Sequence, residues 1–504
     1  MADTQTAGSG QIADAAAHQD PHHSRRWLIL GIISLAQLMI VLDVSIVNIA
    51  LPDAQKALGF GNGDRQWIVT AYSLAFGSLL LLFGRVSDLV GRRVMFLIGL
   101  LVFAAASAFG GAAQNFDMLV IARAVQGLAG AMLAPAALSL LSTTFTEAKE
   151  RATAFAVFGA IAGSGAAIGL LLGGVLTEYL NWRYTLFVNV AISVIAIAGA
   201  ATLIPRQTAE EESNRPKLDL PGTLLVSAGL FGIVYGFSNA EAHAWSAPST
   251  WGFLLAGGLL IIGFAVWQTR AAHPLLPLRV ILERNRGGSF LAMFITGIGM
   301  FGVFLFLTYY LQEILKYSPV MTGVAFLPLV GALMITATVS TTQLYPRFGA
   351  KILIFVGMAV AAGGMAWLTG ITPTSTYGTA ILGPLLLVGF GMGAIFAPGM
   401  NAATSGVEER DAGVASAMVI TSQQIGGSIG TALLNSLAAS ALTSYLVGRN
   451  ASLQSVQASA AVHSYIVAFW WAAGVFAFGA VVCGLILRPG KPDPADPNAA
   501  PVVV

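Results

Sequence analysis

Charge is scarce in this chain. Lys, Arg, Asp and Glu together make up 10% of its 504 residues, against 56% apolar residues, where a soluble protein carries roughly 25% charge. That excludes an ordinary soluble fold and implies an all-α polytopic membrane protein. A net charge of +2 leaves no large basic surface, so no nucleic-acid partner is expected. Cysteine is nearly absent too. The single Cys483 excludes intrachain disulfides and thiolate metal clusters, and a free cysteine in an apolar segment acts as a small packing residue. There is no Gly-x-x-x-x-Gly-Lys-Ser/Thr, so no P-loop supplies ATP energy, and no His-Glu-x-x-His zinc motif. Loops are short apart from stretches near 205–218 and 438–461, which leaves no soluble catalytic domain. No enzymatic activity, cofactor or metal is expected. His18, His22 and His23 lie in a low-complexity segment that reads as a solvated tail rather than a metal site. It is not a signal peptide, because the apolar run after Arg26 is long enough to span.

What the chain does have is a series of apolar segments of spanning length, from 27–50 to 463–487, about fourteen in all. Basic residues alternate between the connecting segments. Nineteen fall on one face; Lys56, Arg65, Arg183, Lys316 and Arg449 fall on the other, and Arg123 lies inside a span. The positive-inside rule makes the first face cytoplasmic, with both termini there. A faint internal repeat is visible. Gly91-Arg92-Arg93 and Gly349-Ala350-Lys351 stand at the same offset before Phe96-Leu97-Ile98-Gly99 and Ile354-Phe355-Val356-Gly357, and Ala134-Pro135 recurs as Ala397-Pro398. The expected organisation is a tail over 1–24, a six-helix bundle over 25–205, two inserted helices and linkers over 206–286, a second six-helix bundle over 287–488, and a tail over 489–504. Parallel halves of this kind place a substrate site at their interface.

Against this background a few residues stand out. Asp43 is the only ionisable side chain between Trp27 and Leu51, and a carboxylate near mid-membrane costs about 2.5–3.5 kcal/mol on insertion scales. Arg123 is the only opposite charge plainly within a span. It either snorkels or pairs with Asp43, and the pair suits proton coupling, because protonating Asp43 would free the arginine. Between the second and third spans, Gly84, Asp88, Gly91, Arg92 and Arg93 form either a charge network with tight glycine turns or a plain positive-inside loop. In the fifth span Gly165, Gly169 and Gly173 share a stripe with Gly174 beside it, alongside Gly159 and Gly163, a surface for close helix approach. Gln423 and Gln424 in the thirteenth span either line a polar path or bond across helices. Phe301, Phe304, Phe306, Tyr309 and Tyr310 in the ninth either hold a lipophilic ligand or pack in lipid. Glu178, Glu241 and Glu313 fall near outer helix ends and read as solvated, Glu313 being the one placed to face a cavity. Asn48, Tyr72, Gln126, Phe304, Tyr309, Gln423 and Gln424 are the candidate substrate-cavity residues.

Three of these segments resemble motifs of the major facilitator superfamily, specifically its fourteen-helix drug:proton antiporter family, over roughly residues 25–490. Gly84 to Arg93 is similar to Gly-x-x-x-Asp-x-x-Gly-Arg-Arg/Lys. Arg123, Gln126 and Gly127 are similar to the helix 4 motif. Leu42 to Pro52 is similar to Leu-Asp-x-Thr-x-Val-Asn-x-Ala-Leu-Pro, with Ser45 for Thr. The helix 5 motif Gly-Pro-x-x-Gly-Gly is altered, since Leu170 replaces the proline between Gly169 and Gly173-Gly174. The resemblance implies the major facilitator fold and alternating access by two rocking bundles in the cell (plasma or inner) membrane. It further implies proton influx driving efflux of a small lipophilic, often cationic substrate, with the protein working as a monomer. Asp43 and Arg123 become the proton-coupling pair. Asp88 becomes part of a cytoplasmic gate that meets the start of the thirteenth helix near Gly413. The alternative is a dedicated exporter of one metabolite, antibiotic or lipid-like molecule.

Overall fold

Backbone amides in hydrocarbon have no water to bond, so apolar runs of this length must satisfy themselves as helices. The computed structural model describes residues 25–490 apart from 146, 206–218, 244, 272–273, 277, 406, 408–411 and 451. Every long element among the described residues is a helix. In chain order these are α1 (Arg26–Leu58), α2 (Asn62–Val90), α3 (Arg92–Gly111), α4 (Phe116–Thr144), α5 (Ala148–Tyr179), α6 (Tyr184–Leu203), α7 (Leu220–His243) and α8 (Pro248–Gln268). They continue as α9 (Arg284–Tyr309), α10 (Pro319–Val339), α11 (Tyr345–Leu368), α12 (Leu382–Thr404), α13 (Ala412–Leu446) and α14 (Gln454–Ile486). Twelve segments among the described residues are apolar and long enough to cross a membrane; Pro319–Leu368 counts as one of them and contains both α10 and α11. The chain is an all-helical, multi-pass membrane protein.

Local chemistry sets where the helices stop. Asn115 and Ser318 side chains accept hydrogen bonds from Met118 and Met321 amides, capping α4 and α10. Gly59 closes α1 in the left-handed region at φ 69°. Two sequence expectations need correction. Gly84 does not make a turn. It lies inside α2, which continues to Val90, and the break falls at Gly91 alone, at φ 110°. Nor is 438–461 a long loop. Its Ala- and Ser-rich start stays helical to Leu446, Gly448 turns at φ 72°, and α14 begins at Gln454.

The packing repeats itself with an offset of eight helices. In the first half α1 packs on α5 and α6, α4 on α2 and α3, and α3 on α6; in the second α9 packs on α13 and α14, α12 on α10 and α11, and α11 on α14. Gly349, the counterpart of Gly91, also has positive φ, at 71°. Pro135 and Pro398 both sit inside helices, α4 and α12. The two halves meet where α2 crosses α13 and where α5 crosses α10, while α7 packs on α8 and touches both α2 and α13. One end of the bundle, called here the Leu58 end, gathers the C-terminus of α1, the N-terminus of α2 and the α9–α10 connection; the Arg26 end lies opposite.

Candidate functional site

Asp43 stands midway along α1 and is completely buried. Its partner is Arg123 on α4, 2% exposed, whose Nη1 lies 2.6 Å from Asp43 Oδ2. The other carboxylate oxygen accepts from Gln126 Nε2 at 3.0 Å and from Asn189 Nδ2 on α6 at 2.7 Å. Gln126 also donates to Ser107 Oγ on α3 at 2.8 Å. Arg123 Nη1 also donates to Gln126 Oε1 (2.8 Å), and its Nε donates to the Ile68 carbonyl of α2 (3.2 Å). Its guanidinium carbon lies 4.4 Å from the centre of the Tyr72 ring. Five helices of the first half therefore converge on one ion pair. Such a pair is costly to form but costlier to break, about 3–5 kcal/mol when one partner is removed, because the other charge is left buried. Glycine makes the approach feasible. A Cβ on Gly127 would lie 2.2 Å from the Tyr72 carbonyl, so α4 can carry Arg123 against α2 only with hydrogen at this position.

The shell around the pair holds unsatisfied polar atoms. Tyr72 Oη and Asn189 Oδ1 are buried without a hydrogen-bond partner among the described residues. Beside Arg123 on its Leu58 side is a narrow cavity of about 10 Å³, lined by Ile68, Trp182 and Thr185 among others, close to the smallest volume that holds one water.

The glycine stripe of α5 packs against the helix that carries Asp43. A Cβ would lie 3.0 Å from Val41 at Gly165, 2.0 Å from Ser45 Oγ at Gly169 and 2.8 Å from Ile46 at Gly173. Gly174 turns the other way, toward Pro319 and Val320 at the start of α10. Leu170 is also on that side, fully buried, and its carbonyl would lie 2.7 Å from a Cβ on Gly323 of α10. α5 thus has one face on the Asp43 helix and the other on the second half. The second half mirrors this, with Gly426 and Gly430 of α13 laid on Phe294 and Ile298 of α9.

A second buried cation sits at the Leu58 end. Arg65 of α2, 7% exposed, forms an ion pair with Glu313 in the π-helical turn Tyr310–Ile314 that ends α9. Two further contacts cross between the halves here. Gln312 Nε2 donates to the Ile49 carbonyl at 3.1 Å, and the Val320 amide donates to Glu178 at 3.0 Å. Glu178 is exposed, as expected, and its carboxylate also caps α10 with negative charge at the helix N-terminus. Glu313, expected to face a cavity, lines a cleft of about 560 Å³ with Asp53, Gln55, Lys56 and Gln312.

The remaining candidates are dispersed. Tyr72 and Gln126 belong to the Asp43 cluster, and Asn48 is buried elsewhere on α1. Phe304 packs on Phe326 of α10 with ring centres 5.2 Å apart, and Tyr309 lies under Arg65. Gln423 offers its carbonyl to the close approach of Gly297, and Gln424 accepts from Ser428, which also bonds the Ser73 carbonyl across the α2–α13 contact at 2.7 Å. None of these candidates lines the cavity of about 10 Å³ beside Arg123 or the cleft of about 560 Å³ at the Leu58 end. Of the 84–93 segment, Arg93 donates to the Ala201 carbonyl at the end of α6 (2.7 Å), and Arg85 to the Pro274 carbonyl (3.2 Å); Arg92 is half-buried at the first position of α3. The side chains of Asp88, Glu241 and Phe301, and the surroundings of Gly159, Gly163 and Gly413, lie outside the described residues, as do His18, His22 and His23; so does the expected Asp88–Gly413 contact. Asn189, Ser107, Arg65 and Glu313 as an inter-half pair were missed in the sequence. The signal for Asn189 was present: Thr185, Asn189 and Ser193 form a polar stripe at four-residue spacing on an otherwise apolar helix, and all three are buried.

Comparison with known proteins gives a consistent picture. The profile of the Major Facilitator Superfamily matches residues 33–431. The chain is 46% identical to the puromycin resistance protein pur8 of Streptomyces alboniger, over 94% of this chain and 93% of that one. It is 39% identical to the cephamycin export protein CmcT of Amycolatopsis lactamdurans, over 79% of this chain and 82% of that one. Among solved structures it is similar in fold to a bacterial homolog of the human lysosomal transporter Spinster, inward-facing and unoccupied. The TM-score is 0.61 at 15% identity, covering 93% of this chain and 97% of that one.

Proposed function

This chain belongs to the Major Facilitator Superfamily, and on that premise we propose that it is a proton-coupled exporter of lipophilic, often cationic compounds, working by alternating access in the cell membrane with both termini cytoplasmic. The chain is a membrane transporter and not an enzyme. Its relatives named for puromycin resistance and cephamycin export support an outward direction and a small-molecule drug as substrate. On this reading the 25–205 and 287–488 bundles rock about the α2–α13 and α5–α10 contacts, and the Leu58 end faces outward.

The observation that carries the coupling is the Asp43 cluster. A buried carboxylate held by one guanidinium and two amides is a site where one proton changes the balance among five helices. When Asp43 is ionised, Arg123, Gln126 and Asn189 all donate to it. When it is protonated the arginine loses its counter-charge, while Gln126 and Asn189 can turn their amides and accept the new O–H, since an amide carries both donor and acceptor. The free Asn189 Oδ1 is such an acceptor. Arg123 then keeps the Ile68 carbonyl and the Tyr72 ring. One proton returning across about 100 mV supplies about 2.3 kcal/mol, and each pH unit adds about 1.4 kcal/mol.

The test is flux in liposomes under an imposed pH gradient, followed with a lipophilic cationic dye. Gradient-dependent flux in the unmodified protein, lost in Asp43→Asn, is expected. Undiminished flux in Asp43→Asn would remove this residue from the coupling. A second reading, a dedicated exporter of one compound, is favoured by relatives each named for a single antibiotic. It predicts that a panel of unrelated lipophilic cations is not carried, whereas one antibiotic class is.

A further inference from the structure

The Arg65 guanidinium at the Leu58 end is held by more than its counter-charge. Its central carbon lies 3.5 Å from the centre of the Tyr309 ring, Glu313 forms the ion pair, and Tyr465 Oη donates to the other Glu313 oxygen at 3.3 Å. The Tyr309 and Tyr465 rings stand 6.4 Å apart at 43°, and Phe306 packs behind Tyr465 with centres 6.0 Å apart. Both tyrosines are 4% exposed. An aromatic face beside a carboxylate, with a second tyrosine hydrogen-bonded to that carboxylate, is the chemistry that recognises an organic cation.

Ownership of these groups is divided between the halves. Tyr309 and Glu313 lie at the end of α9 and Tyr465 on α14, all in the second half. Arg65 on α2, with Gln55 of α1 accepting from it at 3.3 Å, belongs to the first. One half supplies the cage and the other supplies the cation inside it. We propose that Tyr309, Glu313 and Tyr465 form a binding site for lipophilic organic cations, occupied by Arg65 while the Leu58 end is closed and by the transported cation once that end opens. The site rests on the exporter reading above and names its last station before release.

Local structure supports an opening site. Glu313 is held by a π-helical turn, a local irregularity common at functional sites, and the chain leaves it through Lys316, a non-glycine residue at φ 57°. The Glu313 side chain is 32% exposed and borders the cleft of about 560 Å³, within the range of small-molecule sites. As the halves part, withdrawal of Arg65 would leave a carboxylate beside an aromatic face with direct access to that cleft, and a cation entering it would hinder the return of Arg65. The site therefore favours the open state for as long as substrate stays bound.

The experiment measures equilibrium binding of radiolabelled tetraphenylphosphonium to the full-length protein in lipid nanodiscs, with no gradient. Arg65→Ala, which empties the cage, is expected to tighten binding by roughly tenfold. Adding Glu313→Gln or Tyr309→Leu to Arg65→Ala should abolish that gain, and uncharged triphenylphosphine oxide should respond to none of these changes. An affinity unaffected by Arg65→Ala, or a gain that survives Glu313→Gln, overturns the site and leaves Arg65–Glu313 a structural tie. If Arg65→Ala does not give a monodisperse protein, Arg65→Gln removes the charge while keeping hydrogen-bond donors and carries the same expectations. Because binding is read without a gradient, loss of the site leaves gradient-driven export testable, and failure of export leaves the binding result intact.

Discussion

Asp43 and Arg123 act through their neighbours as much as through each other. Of the two amides on the carboxylate, Asn189 comes from α6 and bonds at 2.7 Å, so it links the Asp43 cluster to a helix with no charge of its own at that depth. Asn189→Leu removes one donor to a buried anion and is expected to cost about 1–2 kcal/mol of stability. In an Asp43→Asn background the same change should cost far less, because no charge is left to satisfy. Thermal unfolding of the four proteins in this double-mutant cycle checks it; equal costs in both backgrounds would mean that Asn189 does not serve the charge. The charged members of this site were legible in the sequence, because an ionisable residue in a long apolar run has few innocent explanations. Ser107 was not, because neutral polar residues occur throughout membrane helices and it is marked only by its partner; Asn189 showed only as one member of the polar stripe with Thr185 and Ser193, which does not say what it meets.

At the scale of elements, α5 and the α7–α8 hairpin carry the argument. Leu170 stands where the family motif has proline, and α5 runs helical through it. The glycine face on α1 is intact, and the Leu170 backbone meets α10 at Gly323, so the substitution lies at the contact between halves rather than at the Asp43 helix. The α7–α8 pair is tied by Asp219, which precedes α7. Its carboxylate accepts from Trp267 Nε1 (2.7 Å), Gln268 Nε2 (2.6 Å) and the Gly222 amide (3.0 Å). Burial alone would raise its pKa, but the hydrogen bonds from Trp267, Gln268, Gly222 and Leu275 outweigh it and hold the carboxyl below its ordinary value. A carboxyl whose pKa is lowered on folding stabilises the protein fully above its unfolded pKa, about 3.9, and loses that contribution as pH falls through the lower folded value. Asp219→Asn should therefore lower the unfolding midpoint at neutral pH, with the gap to the unmodified protein closing under acid. Thermal unfolding of both proteins at pH 7 and pH 3, followed by circular dichroism, reads both. A gap that does not depend on pH would show that the ionised form is not what ties the hairpin. Gly84 lies inside a continuous helix as well. Glycine in a motif suggests a turn, but a Cβ there would lie only 3.6 Å from Pro135, an ordinary contact, so the helix continues until the positive φ at Gly91.

Across the whole molecule, the halves are joined by small residues at both the α2–α13 and α5–α10 crossings and by polar contacts at the Leu58 end. At the α2–α13 crossing a Cβ on Gly77 would lie 2.6 Å from Ser428 Oγ, the same hydroxyl that bonds the Ser73 carbonyl. Gly77→Val should force the helices apart at a cost of about 1–3 kcal/mol, reduce gradient-driven flux, and lengthen spin-label distances between α2 and α13. Unchanged distances and flux would show that this crossing does not position the halves. By itself the sequence determined the membrane class, the helices, the repeat that links Gly91 with Gly349, and the identity of Asp43 and Arg123, because composition, apolar run length and a lone charge are properties of a segment. Only the tertiary structure decided that Asn189 completes the Asp43 site, that the two faces of α5 serve different halves, and that Arg65 meets Glu313 across 248 residues of chain. A helix's pattern says which of its faces is polar; which distant helix that face meets is settled only when all of them pack at once.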